Sequence, residues 1–295
     1  MADPTLNYVS CPDAASGHRM AYWQWGDASA AHTIVCVHGL TRQGRDFDVL
    51  AQALVAASQE PLRVVCPDVV GRGQSDWLAN PQGYGIPSYS ADMLALLAQL
   101  QPKTLDWVGT SMGGLIGMAV CAHALAVGAT VRRLVLNDVG PVLEWQSLVR
   151  IGAYLGKNMH FDSLQQAADA LWSIASSFGP HTPAQWLELS RHMVKDDPQG
   201  GVRLHYDPAI GLPFLGVTQE QTVQGEAALW GLYDAISAQT LLLRGADSDL
   251  LSRQTAQQMT ERGPRARLVE FAGVGHAPTL VAQPQLDTVL SFLLG

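Results

Sequence analysis

The 295-residue chain is short of charge. Only 15% of its residues are Asp, Glu, Lys or Arg, and 26 acidic side chains outnumber 18 basic ones for a net charge of −8. A nucleic-acid partner needs a basic surface, so this balance excludes one as the expected ligand. Long hydrophobic runs are also missing: no apolar stretch approaches the roughly 20 residues that cross a bilayer. Met1–Ser10 lacks the basic-then-apolar pattern of a secretory signal, which leaves a reduced, cytoplasmic setting as the expectation. Cysteines are few. Cys11, Cys36, Cys66 and Cys121 show no metal-ligand spacing, so no metal or other cofactor is expected. Cys36 and Cys66 lie in strand-like apolar runs and Cys121 in a helical one, where a thiol packs as a small hydrophobe. Internal repeats, low-complexity tracts and linkers are absent. What remains is 47% hydrophobic residues, ample for a large core in one α/β unit with an insertion.

Between Met20 and Asn137 short apolar runs alternate with longer helical ones. Thr33–Val37, Arg63–Cys66, Leu105–Val108 and Val131–Leu136 read as strands. Phe47–Ser58, Ser90–Leu100 and Met112–Val127 read as helices. The alternation implies a mostly parallel sheet covered on both faces and, with right-handed crossovers, doubly wound. It stops after Asn137 and resumes with strands Thr240–Leu243 and Leu268–Phe271 and helices Ser252–Glu261 and Pro284–Leu294. The expected organisation is therefore a core of residues 1–140 and 232–295 with a helical lid, 141–231, inserted between two core strands. Within the lid, Leu143–Leu155, Ser163–Phe178 and Pro183–Met193 read as helices, and Gly200–Thr222 reads as loop.

The strongest local signal is Gly109-Thr110-Ser111-Met112-Gly113, which follows a strand and precedes a helix. In that context the turn is tight enough to strain Ser111 and to exclude side chains at 109 and 113, so the hydroxyl projects above the sheet. Serine is a weak nucleophile and needs a base. Of nine histidines, His276 in Gly273-Val274-Gly275-His276 fits best, because it follows the last strand at the carboxyl edge where open α/β sheets bind ligands. A carboxylate must then orient the imidazole. Asp249, the last polar residue before Leu250-Leu251, is favoured, with Asp247 and Asp138 left open. The N–H groups of Met112 and Leu40 are the expected oxyanion donors. His38 is expected to bond nearby loop backbone.

Together His38-Gly39, Asp68-Val69-Val70-Gly71-Arg72-Gly73-Gln74-Ser75, the turn around Ser111, and Gly275-His276 resemble the α/β-hydrolase superfamily in its capped branch. The second of these motifs is similar to the D-x-x-G-x-G-x-S turn that buttresses the active-site loops of that family. Members commonly carry the acid three residues after a glycine, a position that Ser248 occupies here. Epoxide hydrolases and haloalkane dehalogenases use aspartate as nucleophile, so Ser111 points away from both. The segments His38–Phe47 and Asn137–Pro141 resemble bacterial intracellular esterases, some of which cleave oligomers of 3-hydroxyalkanoic acids. The resemblance implies a small-molecule ester as substrate, with C–C bond hydrolysis, lactone hydrolysis and ligand reception as rival uses of the same scaffold. Trp145, Trp172, Trp186, Trp230, Phe161, Phe178 and Phe214 are candidates to join lid to core or to line an acyl pocket. Arg150, Lys157, Arg191 and Arg203 are candidates to meet a substrate carboxylate.

Overall fold

Ile34, Val35, Cys36 and Val37 form a run with no polar side. A strand of that kind is stable only where both faces of its sheet are covered. The computed structural model, which describes residues 3–12 and 17–295, places all four fully buried. Ile34 and Cys36 face one hydrophobic cluster, Val35 and Val37 the other.

The chain begins with an antiparallel pair, β1 (Thr5–Cys11) and β2 (His18–Gly26). Then come β3 (His32–Val37), α1 (Asp48–Ala57), β4 (Leu62–Pro67), α2 (Ile86–Leu100), β5 (Thr104–Thr110), α3 (Met112–His123) and β6 (Val131–Asn137). The intervening segment carries α4 (Trp145–Tyr154), β7 (His160–Phe161), α5 (Leu164–Ala175), α6 (Pro183–Arg191), β8 (Val194–Asp196), β9 (Val202–Leu204) and α7 (Gln219–Asp234). The chain ends with β10 (Gln239–Gly245), α8 (Arg253–Glu261), β11 (Arg267–Phe271) and α9 (Gln283–Leu294). The large sheet runs β1-β2-β4-β3-β5-β6-β10-β11, and from β4 to β11 its strands are parallel. Leu50 and Leu54 of α1 and Leu286, Val289 and Leu293 of α9 cover one face; Met93, Leu96 and Leu97 of α2, Ile116 and Val120 of α3, and Met259 of α8 cover the other. Cys36 and Cys66 are buried free thiols, as their apolar neighbours led one to expect.

The structure departs from expectation in two places. β1 and β2 extend the sheet by an antiparallel edge that polar and aromatic residues had masked. The stretch 200–222 is not simply loop: Val202–Leu204 pairs with β7 and β8 in a small antiparallel sheet, and Thr218 caps α7 through a reciprocal bond pair with Gln221. Strands this short leave little periodic signal. α7 continues past residue 231, and its Tyr233 is buried with its hydroxyl donating to the Met259 carbonyl of α8 (2.5 Å). Among the described residues, no helix is long and apolar enough to cross a membrane.

Candidate active site

β5 ends where α3 begins, and the turn between them is a single residue, Ser111. Its backbone sits at φ 51° and ψ −116°, in a region that L-residues avoid. The flanking glycines are a steric necessity. A Cβ on Gly109 would lie 2.3 Å from the Gly113 carbonyl oxygen, and one on Gly113 would lie 2.0 Å from that of Val37. The Ser111 N–H donates to the Asn137 carbonyl (3.0 Å), and the Trp107 indole N–H donates to that of Gly113 (3.1 Å), which locks the turn from both sides.

His276 follows β11 on a loop that returns over the carboxyl edge. Its Nε2 lies 3.0 Å from Ser111 Oγ, and its Nδ1 lies 2.7 Å from Asp138 Oδ2. The expectation for the acid is therefore corrected. Asp249, the favoured residue, turns its carboxylate to Arg150, whose Nε and Nη2 donate to it at 2.9 and 3.0 Å, and both side chains are largely exposed. Asp247 is not the partner of His276 either. Asp138 is fully buried and accepts three bonds: from His276, from the Gly245 N–H (2.8 Å) and from the Ser248 hydroxyl (2.6 Å). The reason lies in the sheet. β6 and β10 are neighbours in register, Asn137 opposite Leu243, so the residue after β6 and the loop after β10 open onto the same space. Ser248, at the position where the family pattern puts an acid, supplies a donor to the acid on the next strand. Asp138 did carry a signal: it is the first charged residue after the apolar run Leu134–Leu136, at the ligand-binding edge. The neighbouring Asn137, to which the sequence assigned no role, ties the two halves together. Its Nδ2 donates to Thr110 Oγ1 (2.9 Å), beside Ser111, and to the Pro278 carbonyl (2.8 Å), beside His276.

Leu40 lies in the turn after β3, and Met112 is the first residue of α3, where helix amides lack intrahelical partners. The Leu40 N–H shares a peptide plane with the Gly39 carbonyl, and His38 sets that plane. His38 Nε2 accepts from the Val69 N–H (2.9 Å), so the proton resides on Nδ1, which donates to the Gly39 carbonyl (2.7 Å). Burial pushes the His38 pKa down to about 3, which keeps the ring neutral and this tautomer in place. Arg72 holds the other end of Leu40: its Nε donates to the Leu40 carbonyl (2.9 Å), while its guanidinium packs over the Tyr89 ring. Asp68 braces the loop, accepting from the N–H groups of Gly44 (2.7 Å) and Gln74 (2.9 Å). Burial pushes its pKa up to about 6.

Above Ser111 and His276 is a cavity of about 110 Å³. Its walls join core residues to Ile151, Leu171, Phe178, Trp186 and Leu189 of the intervening segment. Trp186 is the hub of an aromatic cluster, with Trp172, His181 and Phe178 edge-on at 5.0, 5.8 and 6.4 Å. The segment touches the histidine loop directly, through the Gly275 N–H to the Ser177 carbonyl and His181 Nε2 to Thr279 Oγ1 (2.7 Å). Among the described residues, one cluster could hold a metal ion: Cys11, His18 and Asp92, whose donor atoms lie within 4.8 Å of one another. There His18 Nε2 meets Asp92 at 2.9 Å, and burial drives the Cys11 thiol far above its ordinary range, which favours the protonated form. No spacing argument anticipated it, because Asp92 comes from α2 and the other two from the β1–β2 edge.

Comparison with known proteins accords with this geometry. Residues 34–288 match the model of the alpha/beta hydrolase family. A 3-hydroxybutyrate-oligomer hydrolase of Cupriavidus necator is 46% identical over 100% of this chain and 99% of its own. A 2-hydroxy-6-oxo-2,4-heptadienoate hydrolase of Pseudomonas putida is 25% identical over 85% and 84%. The crystal structure of an alpha/beta hydrolase from Novosphingobium aromaticivorans superimposes with a TM-score of 0.84, at 34% identity and 99% coverage of both chains. The strained serine on its turn and the parallel sheet beneath it have the origin that these likenesses indicate, and the chain belongs to the α/β-hydrolase family.

Proposed function

We propose that the protein is a carboxylic ester hydrolase working through an acyl-enzyme, with Ser111 as nucleophile, His276 as general base and acid, and Asp138 as its orienting carboxylate. The observation that carries this reading is the unbroken bonded line from Ser111 Oγ through His276 to buried Asp138, at 3.0 and 2.7 Å, opening into one cavity. His276 Nε2 takes the Ser111 proton as Oγ attacks the ester carbonyl. The Leu40 and Met112 N–H groups stabilise the oxyanion. His276 then protonates the leaving alcohol, and water repeats the sequence on the acyl-enzyme. Asp138 keeps the ring oriented and stabilises the imidazolium.

The substrate class that the comparisons favour is a short ester of a 3-hydroxyalkanoic acid, such as a linear oligomer of 3-hydroxybutyrate, on the full-length likeness to an enzyme named for that activity. The apolar wall formed by Ile151, Leu171 and Leu189 suits its methylated backbone. In this reading residues 141–231 act as a lid over the core, and the four free thiols fit the reduced cytoplasm. The likeness to a dienoate hydrolase supports a second reading, C–C bond cleavage by the same residues.

A panel of p-nitrophenyl esters, 3-hydroxybutyrate dimer and trimer, and a vinylogous diketone separates the readings. Turnover of the esters and oligomers is expected. Turnover of the diketone alone would replace ester hydrolysis with C–C hydrolysis, and binding without turnover would make the protein a receptor. Ser111→Ala is expected to lower kcat by a factor of about 10⁵ or more while leaving the fold intact.

A further inference from the structure

Of the cations that the sequence offered for a substrate carboxylate, Arg150 and Arg191 line different spaces. Arg150 lines the cavity above Ser111; Arg191 lines a different cleft, with His192 and His205. Arg42 also reaches the cavity, but it is committed elsewhere: its guanidinium is little exposed, bound twice to Asp46, and part of the turn that carries Leu40. Arg150 differs in kind. It stands on α4 one turn before Tyr154, which lines the same cavity, and its guanidinium is 40% exposed.

Its partner Asp249 already demonstrates what the site accepts. The carboxylate of Asp249 takes two parallel bonds from Nε and Nη2, at 2.9 and 3.0 Å, the fork geometry in which arginine recognises a carboxylate. Because both side chains are largely exposed, the pair adds little to stability and can be exchanged at small cost. An oligomer of a hydroxy acid carries one free carboxylate. In a dimer it sits on the leaving hydroxy acid, two carbons from the ester oxygen. The cavity wall is mostly apolar, and of its two arginines, Arg42 is held by Asp46 in a little-exposed pair while Arg150 has a partner that can be exchanged at small cost.

We propose that Arg150 is the subsite for the free carboxylate of the substrate's terminal hydroxy acid, which it takes in exchange for Asp249, so that the enzyme prefers acidic esters over neutral ones of the same length. This rests on the ester-hydrolase reading above. Asp249, which stands where the sequence suggested a catalytic acid, thereby acquires a different part: its carboxylate occupies the guanidinium until that of the substrate displaces it.

The test compares kcat/KM for the linear 3-hydroxybutyrate dimer with that for its methyl ester, and takes their ratio. The wild-type ratio is expected to favour the free acid by about ten- to hundredfold, the range of a charge-assisted bond pair. Arg150→Gln is expected to bring the ratio close to one, and Arg150→Lys, which keeps the charge and loses the fork, to retain part of it. Asp249→Asn is the deciding variant. If Arg150 receives substrate, Asp249→Asn keeps or raises the ratio. If the pair only fastens α4 to the core, Asp249→Asn lowers it as Arg150→Gln does, and the proposal is overturned. A wild-type ratio near one also overturns it, while Ser111-dependent turnover of p-nitrophenyl butyrate would leave the ester-hydrolase reading standing. Absence of that turnover and of dimer cleavage would remove both.

Discussion

Asp138 and Asp249 stand on loops one strand apart, at the ends of β6 and β10, and their surroundings are opposite. Asp138 is fully buried, with a left-handed backbone (φ 57°) and three donors on its carboxylate. Asp249 lies half in solvent against a half-exposed partner, Arg150 on α4. A buried carboxylate is costly unless every acceptor is satisfied, and once satisfied it is held in one geometry. An exposed one is held weakly by a screened pair. The contrast explains why a carboxylate suited to orienting a histidine is found on the first loop and an exchangeable one on the second.

The sharpest way to break this contrast is to neutralise each acid. Asp138→Asn should lower kcat about 10⁴-fold, because an amide cannot stabilise the imidazolium and favours the wrong tautomer. If instead Asp138→Asn were nearly as active as wild type on p-nitrophenyl butyrate, the acid would have to be sought elsewhere. Ser248→Ala removes one charge-assisted donor from Asp138 and leaves its other two, so a loss of about tenfold in kcat is expected from steady-state kinetics.

Burial against exposure also governs pH dependence. The pKa of His38, about 3, lies below its ordinary 6.5 because burial penalises the charged ring; that of His205 falls to about 4 for the same reason, with Lys195 adding repulsion. In both cases the unfolded chain takes up the proton first. Their stabilisation is therefore complete above pH ~6.5 and is lost as pH falls toward the folded values. Asp68, raised to about 6 by burial, opposes this: its contribution is present at low pH and lost as pH rises through 6. Burial also lowers His181 and His192 and raises Asp46, so with four histidines against two carboxyls, urea midpoints should fall between pH 6.5 and 4. His38→Phe should flatten that slope and cost about 1–3 kcal/mol at pH 7, since the buried Val69 N–H loses its acceptor. An unchanged slope in the variant would mean that His38 is not the titrating group.

The smallest effect is expected at the exposed acid. Asp249→Asn should change kcat/KM on neutral esters by less than about threefold and stability by no more than about 1 kcal/mol. A loss of activity comparable to Asp138→Asn would erase the distinction between the loops.

Much of this protein was determined along the chain. The alternation of apolar strands with helices specified a parallel sheet, because its central strands had to be buried on both faces. The pattern around Ser111 specified the turn, because only glycine fits at 109 and 113. His276 followed from its place after the last strand. These are local constraints, readable wherever a few consecutive residues carry them. The partner of His276 was not local. Asp138, Asp247 and Asp249 are equally acidic on paper, and choosing among them required knowing that β6 and β10 lie side by side and that Ser248 and Gly245 converge on Asp138. The place of Arg150 on the cavity wall was hidden in the same way, since nothing in the sequence of α4 distinguishes a cation that faces the cavity from one that faces solvent. Sequence determined which elements form and where Ser111 projects; tertiary structure decided which charges meet, because pairing depends on strand neighbours that sequence spacing does not encode.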